Sequence, residues 1–478
     1  MESKETTDSL KVIECSAASK VLITGWYLII EPYYQGIVLS GSARLKTTLK
    51  IHRSEHTCDS NIKIICKSPQ MGLKTWIFTL SQRMDRSTDL SVVLNTDESD
   101  SGYEFTHSIL ITFFSLLPHL QNIAAERISE FISCLKSIST LEFEFIGDES
   151  LYSFKPEDSS DKKEIKELCK TGMGSSATFI TSFIGSLYTF VAAETPESDA
   201  SLNEINILSQ IANSVWQKKI GSGFDIAAAV YGSLIYKRYT VSKEFTQIVE
   251  DIENMISKNS IVDFSLNYLK FYSEFDFIPK RLWLPNSFQL WMVSTASGSD
   301  TRVMVKQLMQ WSTENMEPWS AYEGSIFTNE HWQNLATIGL QIAEALEQIK
   351  DIEQLEPPIA DDWEDTPTSF KEKVQKLREL NDLMRQQLIS ITEKSGVQVE
   401  PQRVTNILDQ IKSKVKNVVM CGVPGAGGDD AVYILYYSTK DDQKEERRRI
   451  INQINDNLSW KLYVLPIEYN KSNSLCFG

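Results

Sequence analysis

Cysteine and histidine are scarce in this sequence, and their scarcity excludes several classes of protein. The 478 residues contain seven cysteines and five histidines, and no two cysteines form a C-x-x-C pair. An odd cysteine count without zinc-ligand spacing argues against both a disulfide framework and a zinc site. We therefore expect free thiols in a reducing, cytoplasmic environment.

Positive charge is also scarce. Lys and Arg number 48 against 64 Asp and Glu, which gives a formal net charge of −16. Affinity for nucleic acid comes largely from Lys and Arg on phosphates, so general nucleic-acid binding is not expected. No apolar run approaches the ~20 residues that cross a bilayer. The polar N-terminus lacks the apolar stretch of a secretion signal, and we expect no membrane partner.

The composition itself is that of a globular protein, with 42% hydrophobic and 23% charged residues. At about 150 residues per domain, the length predicts two or three domains. The residue pattern changes near residue 240, after which long amphipathic helices are predicted. We therefore predict a first domain over 1–240 and a second over 241–478.

Short-range patterns predict mixed α and β structure. Helical spacing predicts helices over 107–117 and 123–138. Short apolar runs bounded by turn residues predict strands at 21–23 and 28–30, and a strand pair over 230–239.

Further helices are predicted at 174–193 and 202–217, and also at 302–311, 331–350 and 371–394. A strand is predicted near 288–294.

The first of three glycine-rich motifs is KTGMGSSA, at 170–177, which opens a predicted helix. Glycine permits positive φ angles that turn successive N–H groups into one concavity. A helix start adds unpaired N–H groups and the positive end of the helix dipole. This pattern is typical of phosphate binding, although it is not a P-loop. A glycine turn that packs a helix on a sheet is the alternative.

The second motif is KIGSGFDIA, at 219–227, and the third is GVPGAGGDD, at 422–430. Asp225 follows the glycines of the second motif, where a carboxylate can accept a proton from an attacking hydroxyl. Helix capping is the alternative role for Asp225. The glycines of the third motif indicate close approach of the backbone to a ligand or to another chain segment.

Taken together, the motifs resemble the GHMP kinase superfamily and, within it, the eukaryotic phosphomevalonate kinase family. The resemblance also rests on SAASKVLITGWYLIIEPYYQGIVLSGSAR at 16–44 and on EFIGDESLYS at 144–153. It extends over about residues 11–466. It implies an α+β fold of two domains with the active site in the cleft between them. The N-terminal α/β domain would carry the phosphate-binding loop, and the C-terminal domain would be ferredoxin-like.

The resemblance implies a reaction as well. ATP, with Mg²⁺, would transfer its γ-phosphate to (R)-5-phosphomevalonate, giving 5-diphosphomevalonate and ADP. This is a step of the mevalonate pathway of isoprenoid and sterol biosynthesis. The expected partner is this small-molecule substrate, and the protein is expected to be a cytoplasmic monomer, with a dimer as the alternative.

Residue roles carry over from the matching positions. Lys20 and Asp225 would be catalytic, and Ser176 would coordinate Mg²⁺. The ATP phosphates would be bound by the first motif, through Lys170, Gly172, Met173, Gly174, Ser175, Ser176 and Ala177. The substrate would be bound by Lys219, Ser222, Ser299, Gly425, Ala426 and Gly427. Trp76 and the 91–105 stretch are candidates for the adenine pocket, although a core role is favoured for Trp76.

The sequence departs from the family pattern at several positions, which are Ala18, Ser19, Trp26, Asn213, Trp216, Arg302 and Asp429. These departures keep two alternatives open. One is a catalytically degenerate binding or regulatory protein with this fold. The other is a related enzyme, either mevalonate kinase or diphosphomevalonate decarboxylase, although the complete second and third motifs argue against both.

Overall fold

The structure is a computed structural model. It describes residues 11–54, 61–69, 74–82, 90–94, 101–154, 168–170, 173–257, 274–295, 300–317, 322–356, 363, 366–415, 417–438, 444–455, 462–465, 469–470 and 474–478.

The described strands are β1 (Lys11–Leu22), β2 (Gln35–Arg53), β3 (Asn61–Ser68), β4 (Lys74–Gln82), β5 (Leu90–Leu94), β6 (Ile138–Gly147), β7 (Tyr152–Phe154), β8 (Leu168–Lys170), β9 (Leu234–Lys237), β10 (Lys280–Arg281), β11 (Phe288–Ser294), β12 (Val418–Gly422), β13 (Ala431–Tyr437), β14 (Tyr463–Leu465) and β15 (Cys476–Phe477). The described helices are α1 (Ser101–Leu116), α2 (Ala125–Cys134), α3 (Ser175–Ala192), α4 (Asp199–Gln217), α5 (Phe224–Tyr231), α6 (Lys243–Ser257), α7 (Thr301–Glu314), α8 (Glu330–Leu355), α9 (Thr368–Ser395), α10 (Gln402–Lys414) and α11 (Lys444–Asn455).

The N-terminal part is built on a nine-stranded sheet. Its path runs β10-β9-β2-β6-β3-β4-β5, with β1 paired to β2 and β15 paired to β1. The long strand β2 pairs with β1 and β6 and, at its start, with β9. Helices α3 and α5 pack on β1 and β2. The starts of both helices are therefore positioned by the same two strands.

Helix α3 is the central helix of this part. Its 18 residues are long and apolar enough to cross a membrane, but 78% of them are buried inside the fold. Phe179 and Phe183 contact Phe143 and Phe145 of β6, with ring centroids 4.3 to 5.0 Å apart. Burial on the sheet therefore accounts for the apolar character of α3.

The C-terminal part contains a four-stranded antiparallel sheet in the order β12-β13-β11-β14. Along the chain, β11 is followed by helices, then by β12 and β13, then by α11 and β14. This β-α-β-β-α-β order is ferredoxin-like. The expected α+β class and the ferredoxin-like second sheet are both confirmed.

Two local predictions were wrong. The run at 28–30 forms a short 3₁₀ helix, because Gly25 and Trp26 turn the chain with φ angles of 99° and 30°. In 230–239, α5 continues to Tyr231 and only Leu234–Lys237 is a strand. The alanines of α5 favour helix, and Gly232, with φ 90°, ends it.

Contacts across residue 240 bear on the domain division. Helix α6 packs against α1 and α4, and β10 pairs with β9 in the first sheet. These contacts favour a division after residue 281. The division into 1–240 and 241–478 stays a prediction.

A buried ion pair fixes the segment between α9 and α10. The side chains of Arg385 and Glu400 are 6% and 0% exposed, and Nη2 of Arg385 lies 2.8 Å from Oε1 of Glu400. Arg385 also donates to Asp409 at 3.0 Å. The neighbouring Val399 carbonyl accepts a hydrogen bond from Gly428, at 2.9 Å. The ion pair thereby supports the third glycine motif.

We predict that Arg385→Met lowers the free energy of unfolding by about 3–5 kcal/mol, because it leaves the Glu400 charge buried without its partner. Arg385→Met/Glu400→Leu should recover most of this loss. The control is Arg281→Met, which breaks the exposed pair with Asp199 and should cost under about 1 kcal/mol. Urea unfolding measures all three. Equal losses for Arg385→Met and Arg281→Met would show that the buried pair is not a structural anchor.

Candidate active site

The C-terminal end of β1 contacts all three glycine motifs. The Lys20 amide donates to the Met173 carbonyl at 3.1 Å, and the Leu22 carbonyl accepts from the Gly425 amide at 3.0 Å. Nζ of Lys20 lies 4.8 Å from the ring centroid of Phe224. One strand end therefore joins segments that are hundreds of residues apart in sequence. The pairing of β1 with β2 shifts register between Ala18 and Lys20, which marks an irregularity at this point.

Gly174 is the N-cap of α3. Its φ of 81° and ψ of 31° are left-handed, and no side chain caps the helix. A Cβ at Gly174 would lie 3.1 Å from both Cγ and Cε of Lys20, and the positive φ would strain any other residue there. The uncapped N–H groups and the helix dipole favour an anion here. Ser175 and Ser176 follow and are half-buried.

The remaining residues of the first motif divide between core and undescribed positions. Met173 and Ala177 are 3% and 1% exposed and anchor the turn in the core. The backbone of Lys170 ends β8. The Lys170 side chain and all of Gly172 lie outside the described residues, as does Ser299.

The second motif begins α5. Gly223 is its N-cap, with φ 80° and ψ −4°, and here too no side chain caps the helix. Asp225 lies in the first turn, and its Oδ1 accepts from the Ile226 amide at 3.0 Å. Burial lowers the pKa of the Lys20 ammonium, and the negative charge of Asp225 opposes this by raising it. Lys20 and Asp225 are thus close enough to interact electrostatically.

Two other candidates of this motif lie in different surroundings. Lys219 is exposed beyond the end of α4, and its amide donates to the Ser214 carbonyl at 3.2 Å. Ser222 is half-buried within the turn that leads to Asp225. Trp76, on β4, is 4% exposed and packs in the core.

The third motif is held on one side and open on the other. A Cβ at Gly427 would lie 2.2 Å from the Val399 carbonyl oxygen, whereas one at Gly425 would meet nothing within 4 Å. The Ala426 carbonyl accepts from the Tyr27 hydroxyl at 2.6 Å. Gly427 therefore permits close packing, and Gly425 borders open space.

The departures from the family pattern have partners of their own. Asp429 lies 3.8 Å from the Arg403 guanidinium. The Trp26 indole N–H donates to the Val423 carbonyl at 3.4 Å. Asn213 accepts from the Gln217 amide at 2.8 Å, and Trp216 packs on Phe105 at 4.5 Å between ring centroids. These residues are integrated into the fold around the site.

The donor set suits Mg²⁺ better than a softer metal. No group of three or more His, Cys, Asp or Glu with metal-site geometry occurs in the part of the chain that the structure describes. The hydroxyl of Ser176 lies in the first turn of α3. Mg²⁺ is commonly held by one or two protein oxygens together with water and substrate phosphates, and a hydroxyl beside a phosphate-binding turn fits that pattern.

Sequence reasoning missed three side chains behind the second motif: Gln210, Tyr236 and Arg238. Each donates a hydrogen bond to a carbonyl of the turn before Asp225. Arg238 carried a usable signal, because it is a charged residue directly after a buried strand. Gln210 and Tyr236 gave no signal that separates them from ordinary core positions.

Comparisons with known proteins identify similar enzymes. No family model matches the chain. The chain is 26% identical to the phosphomevalonate kinase of Candida albicans over 437 residues, covering 88% of each protein. It is 25% identical to the peroxisomal phosphomevalonate kinase of Arabidopsis thaliana over 488 residues, covering 88% of this chain and 89% of that one.

A solved structure is similar in fold. Streptococcus pneumoniae phosphomevalonate kinase in complex with phosphomevalonate and AMPPNP matches with a TM-score of 0.54 and 14% identity, covering 96% of this chain and 100% of that one. The expected GHMP kinase fold is confirmed. The expected resemblance to eukaryotic phosphomevalonate kinases is also confirmed by the two sequence relatives.

We predict that Asp225→Asn lowers the pKa of Lys20, because it removes the negative charge that opposes the effect of burial. Competitive acetylation of Lys20 across alkaline pH, read by mass spectrometry, measures this pKa. Asp276→Asn is the matched control, since Asp276 binds Thr240 instead. An unchanged Lys20 pKa in Asp225→Asn would contradict the pairing of these two groups.

Proposed function

We propose that this chain is a phosphomevalonate kinase. It transfers the γ-phosphate of ATP to (R)-5-phosphomevalonate, giving 5-diphosphomevalonate and ADP, in the mevalonate pathway. The observation that carries the proposal is the junction at the end of β1. There Lys20 lies against Gly174 of the first motif and Phe224 of the second. The similarity to phosphomevalonate kinases over 88% of the chain supports the choice of acceptor.

The nucleotide phosphates bind at the start of α3. Gly174, Ser175 and Ser176 present backbone N–H groups there, and the helix dipole adds positive potential. Met173 and Ala177 hold the turn in the core. Lys170 and Gly172 are proposed as further phosphate-binding residues on the basis of the motif alone.

Ser176 is the proposed Mg²⁺ ligand, with phosphate oxygens and waters filling the other positions. Mg²⁺ would neutralise charge on the phosphates. The protein's own share of this task falls to Lys20 and the helix termini, which lie in an otherwise acidic molecule of net charge −16.

Lys20 and Asp225 carry the catalytic roles. Phosphoryl transfer depends mainly on positioning and charge stabilisation. Asp225 orients the acceptor phosphate and accepts its proton where it carries one. Lys20, which packs on Gly174 and lies beside Phe224, stabilises charge on the transferring phosphoryl group.

The acceptor binds on the side of the third motif. Gly425, Ala426 and Gly427 close on it, and the space beside Gly425 is open. Lys219, Ser222 and Ser299 are proposed as further contacts.

We propose a cytoplasmic monomer. Because a plant relative is named as peroxisomal, cell fractionation is the direct test of location.

A degenerate binding protein is the second candidate, favoured by the departures at Ala18 and Ser19. Both residues are fully buried in β1. The Lys20 amide still bonds Met173, so the substitutions leave the strand end in contact with the first motif.

We predict that the enzyme phosphorylates phosphomevalonate and scarcely acts on mevalonate. Groups arranged to bind a phosphate are left unmatched when that phosphate is absent. Coupled ADP release with each acceptor in turn, with and without Mg²⁺, measures this. Comparable kcat/KM values for both acceptors would favour mevalonate kinase. No turnover with either acceptor would favour the degenerate protein.

We predict that Asp225→Asn lowers kcat by about 10²-fold or more, the scale of a positioned acid–base group. The backbone bond to Ile226 survives in Asn, and ATP affinity should change little, because ATP binds at α3. Asp276→Asn is the control and should leave kcat unchanged. Near wild-type kcat in Asp225→Asn would refute the catalytic role. Joint loss of ATP binding and turnover would indicate a collapsed site.

A further inference from the structure

Three successive carbonyls before Asp225 each accept a hydrogen bond from a different side chain. The Gly221 carbonyl accepts from Arg238 at 2.6 Å. The Ser222 carbonyl accepts from the Tyr236 hydroxyl at 2.5 Å, and the Gly223 carbonyl accepts from Gln210 at 2.8 Å. The whole turn is therefore held by its carbonyl groups.

The three donors come from elements that the core fixes. Gln210 lies on α4 and is 2% exposed, and Tyr236 lies on β9 and is 0% exposed. Arg238 follows β9 directly and also donates to the Ile30 carbonyl, beyond the end of β1. Because Gln210 and Tyr236 are buried in the core and Arg238 bonds both Ile30 and Gly221, these donors define where the turn lies.

The position of α5 follows from this support. Gly223 is the N-cap of α5, and a Cβ there would lie 2.8 Å from Oε1 of Gln210. Asp225 comes two residues later, in the first helical turn. A shift of the Ser222 or Gly223 carbonyl therefore moves Asp225 relative to Lys20, whose place is fixed separately by its backbone bond to Met173.

We propose that Gln210, Tyr236 and Arg238 are positioning residues for catalysis, which orient Asp225 through the carbonyls of Gly221, Ser222 and Gly223. This inference rests on the catalytic role of Asp225 in the proposed function. Reaction rates are sensitive to small displacements of a catalytic group. Loss of one of these hydrogen bonds therefore lowers kcat by more than the accompanying loss of stability explains.

The test compares two tyrosines that are close together in sequence. Tyr236→Phe removes the hydroxyl that bonds Ser222 and keeps the ring, which packs near Phe277 at 5.7 Å between centroids. Tyr239→Phe is the matched control. Tyr239 is 2% exposed, and its hydroxyl makes no hydrogen bond among the described residues.

We expect Tyr236→Phe to lower kcat at least about tenfold, with ATP affinity unchanged and a melting temperature like that of Tyr239→Phe. Tyr239→Phe should keep wild-type kcat. Equal kcat values for the two variants, or a fall in Tyr236→Phe that tracks its melting temperature, would overturn the proposal.

A double-mutant cycle shows whether Tyr236 acts through Asp225. In the Asp225→Asn background, Tyr236→Phe should lower kcat no further. A second tenfold loss in that background would place the effect of Tyr236 elsewhere and overturn the proposal.

Hydrogen exchange separates this inference from the proposed substrate. Peptides covering 221–226 should exchange faster in Tyr236→Phe than in Tyr239→Phe, whichever acceptor the enzyme uses. Unchanged exchange would count against positioning. If wild-type protein phosphorylates an acceptor other than phosphomevalonate, the substrate assignment fails, and the kinetic cycle is run with that acceptor.

Discussion

The candidate active site depends on the backbone at the end of β1. One amide, on Lys20, bonds the first glycine motif, and one carbonyl, on Leu22, bonds the third. The same Lys20 side chain lies beside the start of α5. Because backbone groups make two of these connections, the residues that precede Lys20 can vary. Ala18 and Ser19 depart from the family pattern, yet β1 and its bonds remain.

The proposed reaction brings two anions together, and in an acidic protein their repulsion must be offset by groups close to the site. The helices α3 and α5 both begin at a glycine with positive φ and without a capping side chain. A Ser or Asp cap would occupy the N–H groups that a phosphate can use. Lys20 adds a positive charge whose position is restricted, because its aliphatic stem packs against Gly174. The start of α3 therefore offers uncapped N–H groups and the Lys20 ammonium together, in a protein of net charge −16.

Glycine made much of the site predictable from sequence. Gly174, Gly223 and Gly427 have positive φ angles and close neighbours, and such positions reveal themselves by excluding other residues. The prediction of a strand at 28–30 was wrong because the turn at Gly25 and Trp26 depends on tertiary contacts, such as the hydrogen bond from Trp26 to Val423. Gln210 and Tyr236 were not predictable, because their hydrogen-bond partners are backbone carbonyls that only the folded structure brings next to them.

Both the second and the third glycine motif are held by hydrogen bonds to backbone carbonyls. Before Asp225, the turn is held through its carbonyls by side chains from α4 and β9. Beside the third motif, the Val399 carbonyl receives the Gly428 amide, and the Arg385–Glu400 pair fixes the segment that carries Val399. Buried polar groups lose free energy when unpaired, so each bond resists displacement. Glycine permits the close approach, and the buried donors and charges behind it supply the rigidity that the proposed phosphoryl transfer requires.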